Sequence, residues 1–470
     1  MFVESLPVGQ PALPDADTVI ATLTAVMADG ADHPELWAMI PALAGTIPDL
    51  ADRLTTRADD ALPIALLRGL VQAARGDCAA ALAALGPLAL HHSQSALVQG
   101  VVFHIQALAD PDNPRYQLAG KVCTAPFEQL DVLEASVHQC CASWLQTSAG
   151  DLGTTPWPQV WNSAAAQAVR ASVLDGSYRY CNKTACPKIQ ANGLPEAAAV
   201  AARSPFWADV ITNARVALDR GPRVVNLAYD RTCNLACPSC RTERYAADDA
   251  TRARFDRLQD VAILPMLKHA DIVFVTGSGD PFASKNFRQL LTALTPQDYP
   301  HLRFQIMTNG MLFTPRQWAG FPNLHGRVAM LKISIDAATG PTHEALRLGA
   351  RWDTMYENMR FAGQLARSGV IDQFDLVFTV QHANFREMGA AVDLAKAVGA
   401  TGIYFARMTN WGTFSASDYA DRAVFVPGHR DHPAFLAAMA DARLRDPMVM
   451  LGDLAEFAPD RAGQGRIFVH

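Results

Sequence analysis

Apolar and polar residues follow two different patterns along this chain, and the change comes near its middle. In the first part, apolar side chains recur at helical spacing, as in the Ala-rich segment 61–90. This spacing predicts helices over residues 1 to about 115. From about residue 215, short apolar runs alternate with helical stretches, which predicts strands separated by helices. The chain therefore divides into a helical part and an α/β part.

Six apolar runs in the second part are typical of strands. They are Arg223–Tyr229, Asp271–Thr276, Leu302–Met307, Val328–Ile335, Phe374–Val380 and Gly402–Ala406. Helices are predicted between them over Arg252–Lys268, Phe287–Leu294 and Thr342–Arg367. Strand–helix units in a row favour parallel strands joined by right-handed crossovers. Six units are too few for a closed eight-stranded barrel.

Composition narrows the classes of partner. The 470 residues carry a formal net charge of −6 with no run of Lys or Arg, which argues against nucleic acid. The longest apolar stretches are interrupted by Pro, Gly or charge, so no membrane-spanning helix is expected. The first residues lack the basic and apolar regions of a signal peptide. We therefore expect a cytoplasmic protein, in which the nine cysteines favour metal ligation over disulfides.

Three cysteines stand close together just after the first predicted strand. Cys233, Cys237 and Cys240 have the spacing C-x3-C-x2-C. Iron–sulfur clusters are held by cysteine thiolates, normally four of them, so three thiolates would leave one iron open to another ligand. A zinc site is the alternative, but zinc sites more often pair C-x2-C units or add histidines.

The segment Cys233–Cys240, with the sequence CNLACPSC, resembles the radical S-adenosylmethionine (SAM) enzymes. The resemblance implies an open (β/α)6 TIM-like partial barrel and a [4Fe–4S] cluster whose fourth iron is chelated by SAM. Reductive cleavage of SAM would then give a 5′-deoxyadenosyl radical that abstracts hydrogen from a substrate. In such barrels the chemistry lies at the carboxyl ends of the strands.

The same resemblance places the candidate SAM-binding residues after the second, third and fourth predicted strands. GSGDP is similar to the motif that binds the SAM amino group, with Asp in place of Glu, and the others match polar positions of the SAM pocket. The residues are Gly277, Ser278, Gly279, Asp280, Asn309, Ser334, Asp336 and Arg347. For Arg347 two interpretations stay open, a carboxylate clamp or a surface charge on a helix.

Five further cysteines lie between residues 123 and 186. Together with Trp161, Arg170 and the C-x4-C of Cys181 and Cys186, this stretch resembles the SPASM/twitch module of radical SAM enzymes, here placed before the barrel. The resemblance implies a second [4Fe–4S] cluster. Its ligands would be Cys123, Cys140, Cys181 and Cys186. Buried free thiols or a zinc site remain the alternatives.

The choice of Cys140 over its neighbour Cys141 rests on two arguments. Ala135 occupies the position of a family glycine five residues before the ligand. A β-like run over Val132–Gln139 would also turn successive side chains to opposite faces, so only one of the two cysteines would reach a cluster.

These observations predict four segments. Residues 1–115 form a helical domain that resembles a tetratricopeptide-like helix pair, 116–200 the auxiliary-cluster module, 215–430 the partial barrel and 431–470 a C-terminal tail. The helical domain could help to bind a partner, as helix-pair arrays do.

The expected function is that of a radical SAM oxidoreductase or maturase with two [4Fe–4S] clusters and SAM. A reductant such as flavodoxin or ferredoxin is expected. The module resemblance favours a peptide or protein side chain as substrate. The alternatives are a dehydrogenase or epimerase acting on a small metabolite such as a sugar or aminocyclitol, and a non-catalytic iron–sulfur interaction protein. No catalytic acid, base or hydrogen donor can be named from the sequence.

Overall fold

The computed structural model describes residues 14–47, 49–57, 61–134, 136–275 and 278–458, and these form two compact units. The first unit contains the chain up to Lys121 together with Ser143–Gln146 and Ser172–Cys186. The second contains Val122–Ala142, Thr147–Ala171 and the chain from Pro187 onward. The predicted auxiliary module, 116–200, is therefore divided between the two units.

Helices make up most of the first unit, as the apolar spacing predicted. They are α1 (Ala16–Val26), α2 (Pro34–Trp37), α3 (Ile40–Thr46), α4 (Leu50–Thr56), α5 (Leu62–Ala74), α6 (Cys78–His91) and α7 (Ala96–Ala109). The side chains of Asp15, Asp77 and Ser95 accept hydrogen bonds from free backbone N–H groups at the starts of α1, α6 and α7, which is the usual way a helix begins. Trp37 and the apolar faces of α5 and α7 form one buried core.

Short elements follow between residues 125 and 212. They are α8 (Ala125–Glu128), β1 (Gln129–Leu133), β2 (Ser136–His138), β3 (Gly150–Asp151), α9 (Trp157–Trp161), α10 (Ala164–Leu174), α11 (Pro187–Gln190), α12 (Ala197–Ala201) and α13 (Pro205–Thr212).

The prediction of one β-like run over Val132–Gln139 is wrong. β1 ends at Leu133, Glu134 has a φ of 52°, and the chain returns as β2 antiparallel to β1. β2 ends at His138, so Cys140 and Cys141 lie in the loop beyond it. Strand alternation therefore does not distinguish these two cysteines. Ala135 lies outside the described residues.

The α/β region carries the remaining elements in alternation. They are β4 (Val224–Leu227), α14 (Asp249–Leu258), α15 (Leu264–Leu267), β5 (Ile272–Val275), α16 (Lys285–Ala293), β6 (Arg303–Thr308), α17 (Pro315–Ala319), β7 (Val328–Ser334), α18 (Gly340–Leu346), α19 (Trp352–Arg367), β8 (Phe374–Val380), α20 (Met388–Val398), β9 (Gly402–Arg407), α21 (Ala416–Ala420), α22 (His432–Met439) and β10 (Val449–Met450). A strand overlaps each of the six predicted runs, so the six strands are confirmed.

These strands form one sheet rich in parallel pairs. The order is β10-β9-β8-β7-β6-β5-β4-β1-β2-β3. Every pair from β10 to β1 is parallel, and the pairs β1–β2 and β2–β3 at one end are antiparallel. Six neighbours in this sheet, β4 to β9, follow each other in chain order, so their carboxyl ends lie side by side along one edge.

The helix predicted over Thr342–Arg367 is two helices. α18 ends at Leu346, and Arg347 leaves helical geometry with φ −123° and ψ 75°. Gly349, with a φ of 95°, takes a left-handed conformation that glycine adopts without strain. Because of this break, Arg347 turns inward instead of standing on a helix surface.

Within the part of the chain that the structure describes, no helix is both long and apolar enough to cross a membrane.

Candidate functional site

A cavity of about 280 Å³ opens at the carboxyl ends of β4 to β9. Most of the residues predicted from the α/β region line it. They are Cys233, Cys237, Cys240, Gly279, Asn309, Ser334, Asp336 and Arg347. The structure thus brings together side chains that are up to 114 positions apart in the chain, because parallel strands gather their carboxyl ends at one edge.

The three cysteines lie in the loop after β4 and belong to one apolar cluster. Cys237 packs with Leu235 and Ala350, while Cys233 and Cys240 lie against them. The backbone N–H of Cys240 donates to the carbonyl of Cys237 at 2.9 Å, which fixes the turn between these two thiols. Burial raises the pKa of the Cys237 thiol to about 11 and also raises that of Cys233. A metal that bound these groups would therefore have to displace protons.

Three thiols beside one cavity fit a [4Fe–4S] cluster by the chemistry of their donor set. None of the three is in a disulfide. Among the described residues, no three His, Cys, Asp or Glu side chains are placed to hold a single metal ion. A four-iron cluster makes a different demand, because each thiolate binds a different iron atom.

The loop after β5 approaches the cysteine loop at Gly279. A Cβ on Gly279 would lie 2.5 Å from the carbonyl oxygens of Asp230 and Thr232, so only glycine fits between these backbones. Ser278 donates its hydroxyl hydrogen to the carbonyl of Ala228. Gly277 lies outside the described residues.

Asp280 lies beneath the cavity and is fully buried. One carboxylate oxygen accepts from Phe282 N and Ala283 N, and the other from Thr308 Oγ1 at 2.7 Å and Asn309 N at 2.9 Å. Burial raises its pKa, while these hydrogen bonds oppose the shift. Its carboxylate therefore holds the end of β6 in place.

Asn309 reaches from the end of β6 to the cysteine loop. Its Nδ2 lies 3.6 Å from Cys233 Sγ and donates to Asn234 Oδ1 at 2.9 Å. Its Oδ1 accepts from Met311 N at 3.0 Å. The side chain is therefore oriented at both ends and presents an N–H group to a candidate ligand sulfur.

Asp336 and Arg347 form a buried ion pair at the cavity wall, with Oδ2 and Nη2 2.9 Å apart. Asp336 follows β7 with a φ of 53°, and its Oδ1 accepts from Thr379 N at 2.8 Å. Arg347 is 8% exposed, and its Nε is buried without a hydrogen-bond partner in the described residues. Burial disfavours its charge, but Asp336 and the cysteines raise its pKa overall. Of the two interpretations, the surface charge is excluded.

Arg241 and Trp411 are among the lining residues that sequence reasoning missed. Arg241 donates to the carbonyls of Arg231 and Ser278, and its Nη2 lies 3.5 Å from Cys240 Sγ. Its position directly after the last cysteine was the available signal. Trp411, in the loop after β9, lines the cavity with 56% of its surface exposed, and no local pattern marked it.

The remaining predicted ligands fall in different units. Cys181 and Cys186 belong to the helical unit, while Cys123 and Cys140 belong to the unit with the sheet. All four are partly exposed. As an all-thiol set in a cysteine-rich stretch, they have the donor chemistry of an iron–sulfur cluster.

The sequence is similar to one S-adenosylmethionine-dependent enzyme. Over 193 residues it is 29% identical to an AdoMet-dependent heme synthase from Nitratidesulfovibrio vulgaris. The aligned region covers 39% of this chain and 47% of that protein. The match thus spans about half the length of this curated relative. No protein-family model matches the chain. The similarity is consistent with an enzyme of the radical SAM type.

Similarity to solved structures is weaker. SuiB of Streptococcus suis bound to S-adenosylmethionine matches with a TM-score of 0.35 at 14% identity, over 53% of each chain. TYW1 with a lysine-pyruvate adduct matches with a TM-score of 0.31 at 12% identity, over 48% of this chain and 74% of that chain. TM-scores of this size are too low for a conclusion about the fold or function of this chain.

Proposed function

We propose that this chain is a radical SAM enzyme whose SAM cluster is held by Cys233, Cys237 and Cys240. The observation that carries the proposal is their position: three thiols, an amide and a buried arginine surround one cavity at the ends of parallel strands. When bound, the cluster and SAM supply an electron and a 5′-deoxyadenosyl radical for hydrogen abstraction. The predicted open (β/α)6 barrel is part of this proposal.

The chain's own residues position and shield that chemistry. Arg347 offers its buried Nε to a carboxylate while Asp336 holds the guanidinium in place. Arg241 and Arg347 bring positive charge to the cysteines, which offsets the negative charge of thiolates. Ser334 adds a hydroxyl at the cavity wall.

In this proposal Asp280 does not contact SAM but positions residues that line the cavity. Since both of its oxygens already accept from Thr308, Asn309, Phe282 and Ala283, we assign it the positioning of Asn309 and of the turn at Gly279. Direct binding of the SAM amino group by Asp280, as the motif resemblance implies, would require these hydrogen bonds to be exchanged.

A second [4Fe–4S] cluster, held by Cys123, Cys140, Cys181 and Cys186 in a SPASM/twitch-like module, belongs to the proposal. It would accept an electron from the substrate or position the substrate. Thiolate ligation requires a reducing compartment, so we propose a cytoplasmic enzyme served by an electron carrier such as flavodoxin or ferredoxin.

The proposed substrate is a peptide or protein side chain, on the basis of the module resemblance. A small molecule is the second candidate, and the similarity to a heme synthase favours it. Isotope transfer separates the two. Deuterium-labelled candidate substrates should deliver deuterium into 5′-deoxyadenosine only when they are the true hydrogen source.

Anaerobic SAM cleavage tests the proposed function. The reconstituted protein should convert SAM to 5′-deoxyadenosine under strong reductant and carry about eight irons per chain in two four-iron clusters. Changing Cys233, Cys237 and Cys240 together to Ala should abolish cleavage and leave about four irons. Zinc without acid-labile sulfide in the wild-type protein would contradict both cluster assignments.

A further inference from the structure

The loop between Cys181 and Cys186 is anchored within the helical unit by three of its four residues. Asn182 Nδ2 donates to the carbonyl of Ser93 at 2.7 Å. Thr184 donates its hydroxyl hydrogen to Gln99 Oε1 on α7. Lys183 forms an ion pair with Asp32, which precedes α2. The side chains of these three residues therefore bind α7 and two loops of the helical unit, and Cys181 and Cys186 lie on either side of them in the chain.

The Lys183–Asp32 pair is almost fully buried, with 3% and 1% of the side-chain surfaces exposed. Asp32 also accepts from Trp37 Nε1 at 2.5 Å, and its backbone N–H donates to the carbonyl of Arg179 at 2.8 Å. A Cβ on Gly100 of α7 would lie 2.1 Å from Asp32 Cγ, so the helix leaves space for this carboxylate. A buried ion pair is weak evidence for stability alone, and here it fixes the course of one short loop.

The helical unit also holds chain segments beside the other candidate cysteines. Tyr178 donates its phenolic hydrogen to the carbonyl of Lys121, two positions before Cys123, at 2.8 Å. The carbonyl of Trp144, three positions after Cys141, accepts from Asn182 N at 2.7 Å. Lys121 and Trp144, which are close in sequence to Cys123 and Cys141, are therefore held within the helical unit.

We propose that Asp32 and Lys183, both within the helical unit, are positioning residues for the thiolates of Cys181 and Cys186, two of the proposed ligands of the auxiliary cluster. This inference rests on the proposed function, since it presumes the auxiliary cluster. It gives the helical unit a role within its own chain, beside the partner binding that helix pairs favour.

A double variant removes the Asp32–Lys183 ion pair without leaving a single unpaired charge buried. Asp32→Asn with Lys183→Met removes both charges at nearly constant size. After anaerobic reconstitution we expect iron to fall from about eight to about four per chain. The EPR signal of the reduced auxiliary cluster should disappear, while the signal of the SAM cluster stays. Thr184→Val, a milder change, should shift the auxiliary signal or lower its amplitude.

Arg68→Met is the matched control in the same unit. Arg68 donates to the carbonyls of Leu54 and Arg57 and binds no cysteine-bearing segment through these contacts. It should keep about eight irons. Equal iron loss in this control would assign the effect to general instability of the unit and overturn the inference.

The outcomes separate the two proposals. If wild-type protein carries only about four irons, or if Cys181→Ala loses none, the auxiliary cluster itself is refuted. Suppose that wild-type protein carries about eight irons, and that the double variant and Thr184→Val both keep these irons with unchanged EPR signals. The positioning role is then refuted while the proposed function stands. Should the double variant not fold by circular dichroism, Thr184→Val decides alone.

Discussion

The cysteines at the cavity and those of the C-x4-C loop are held in contrasting ways. Cys233, Cys237 and Cys240 lie at the end of a strand, and their surroundings come from the corresponding ends of neighbouring strands. The loop at Cys181 and Cys186 is instead fixed by hydrogen bonds and an ion pair to residues of the helical unit that are 85 to 151 positions away in the chain. The repeated βα topology positions the cavity cysteines, while the position of the Cys181–Cys186 loop depends on individual contacts between residues far apart in the chain.

Separating the two sites by mutation should give the largest effect. Cys181→Ala should remove the auxiliary cluster, about four irons, yet leave part of the SAM cleavage, since the two proposed clusters use separate ligands. Product formation should fall much further than uncoupled formation of 5′-deoxyadenosine. Both products are measured by chromatography in one assay. Complete loss of both activities in folded protein would count against separate sites.

The same difference between the cavity and the Cys181–Cys186 loop explains how much of each could be predicted from the sequence. The six strands and the cavity residues Asn309, Ser334 and Asp336 could be found because each strand is a local apolar run and its end is a local motif. The turn at Glu134 and the break after Leu346 were missed, since neither a reversal of the chain at a polar residue nor a buried arginine changes the apolar spacing. The pairing of Asp32 with Lys183 could not be predicted, because nothing local marks residues 151 positions apart.

Breaking the buried ion pair at the cavity should cost more than breaking a surface pair. Arg347→Met leaves the Asp336 carboxylate buried without its cation, which should lower the free energy of unfolding by about 3–5 kcal/mol. Arg443→Met is the control, because its two ion pairs, with Asp393 and Asp441, lie at the surface. Each such pair should contribute at most about 1 kcal/mol to stability. Thermal unfolding of both variants measures the difference. Equal losses would mean that the cavity pair is effectively solvated.

The stability of the unit with the cavity should depend on pH through His343. Burial lowers the pKa of His343 to about 4, from 6.5 in the unfolded chain. Its Nδ1 faces the carbonyl of Ile335 at 2.6 Å, and its Nε2 is buried without a partner in the described residues. Between pH 6.5 and 4 the unfolded chain binds more protons, so stability is full above pH 6.5 and falls as the pH drops. The loss should be about 3 kcal/mol.

Denaturant unfolding at pH 7.5 and pH 4 measures this loss. His343→Asn is the comparison, because an amide can still donate to Ile335 but does not titrate. The variant should lose less stability than the wild type across the same pH range. A parallel loss in both proteins would place the acid sensitivity elsewhere.

The smallest expected effects come from a pair of glycines, one in each unit, that should respond with opposite signs. Gly279→Ala puts a methyl group 2.5 Å from two backbone oxygens, so the loops must separate, at a cost of about 1–3 kcal/mol, and SAM cleavage should weaken. Gly45→Ala, in exposed helix α3 with nothing within 4 Å, should instead stabilise by about 0.5–1 kcal/mol and leave cleavage unchanged. Thermal midpoints and initial rates of 5′-deoxyadenosine formation give both signs. If Gly279→Ala kept wild-type stability and rate, the close approach of the two loops would not be required at the proposed SAM site.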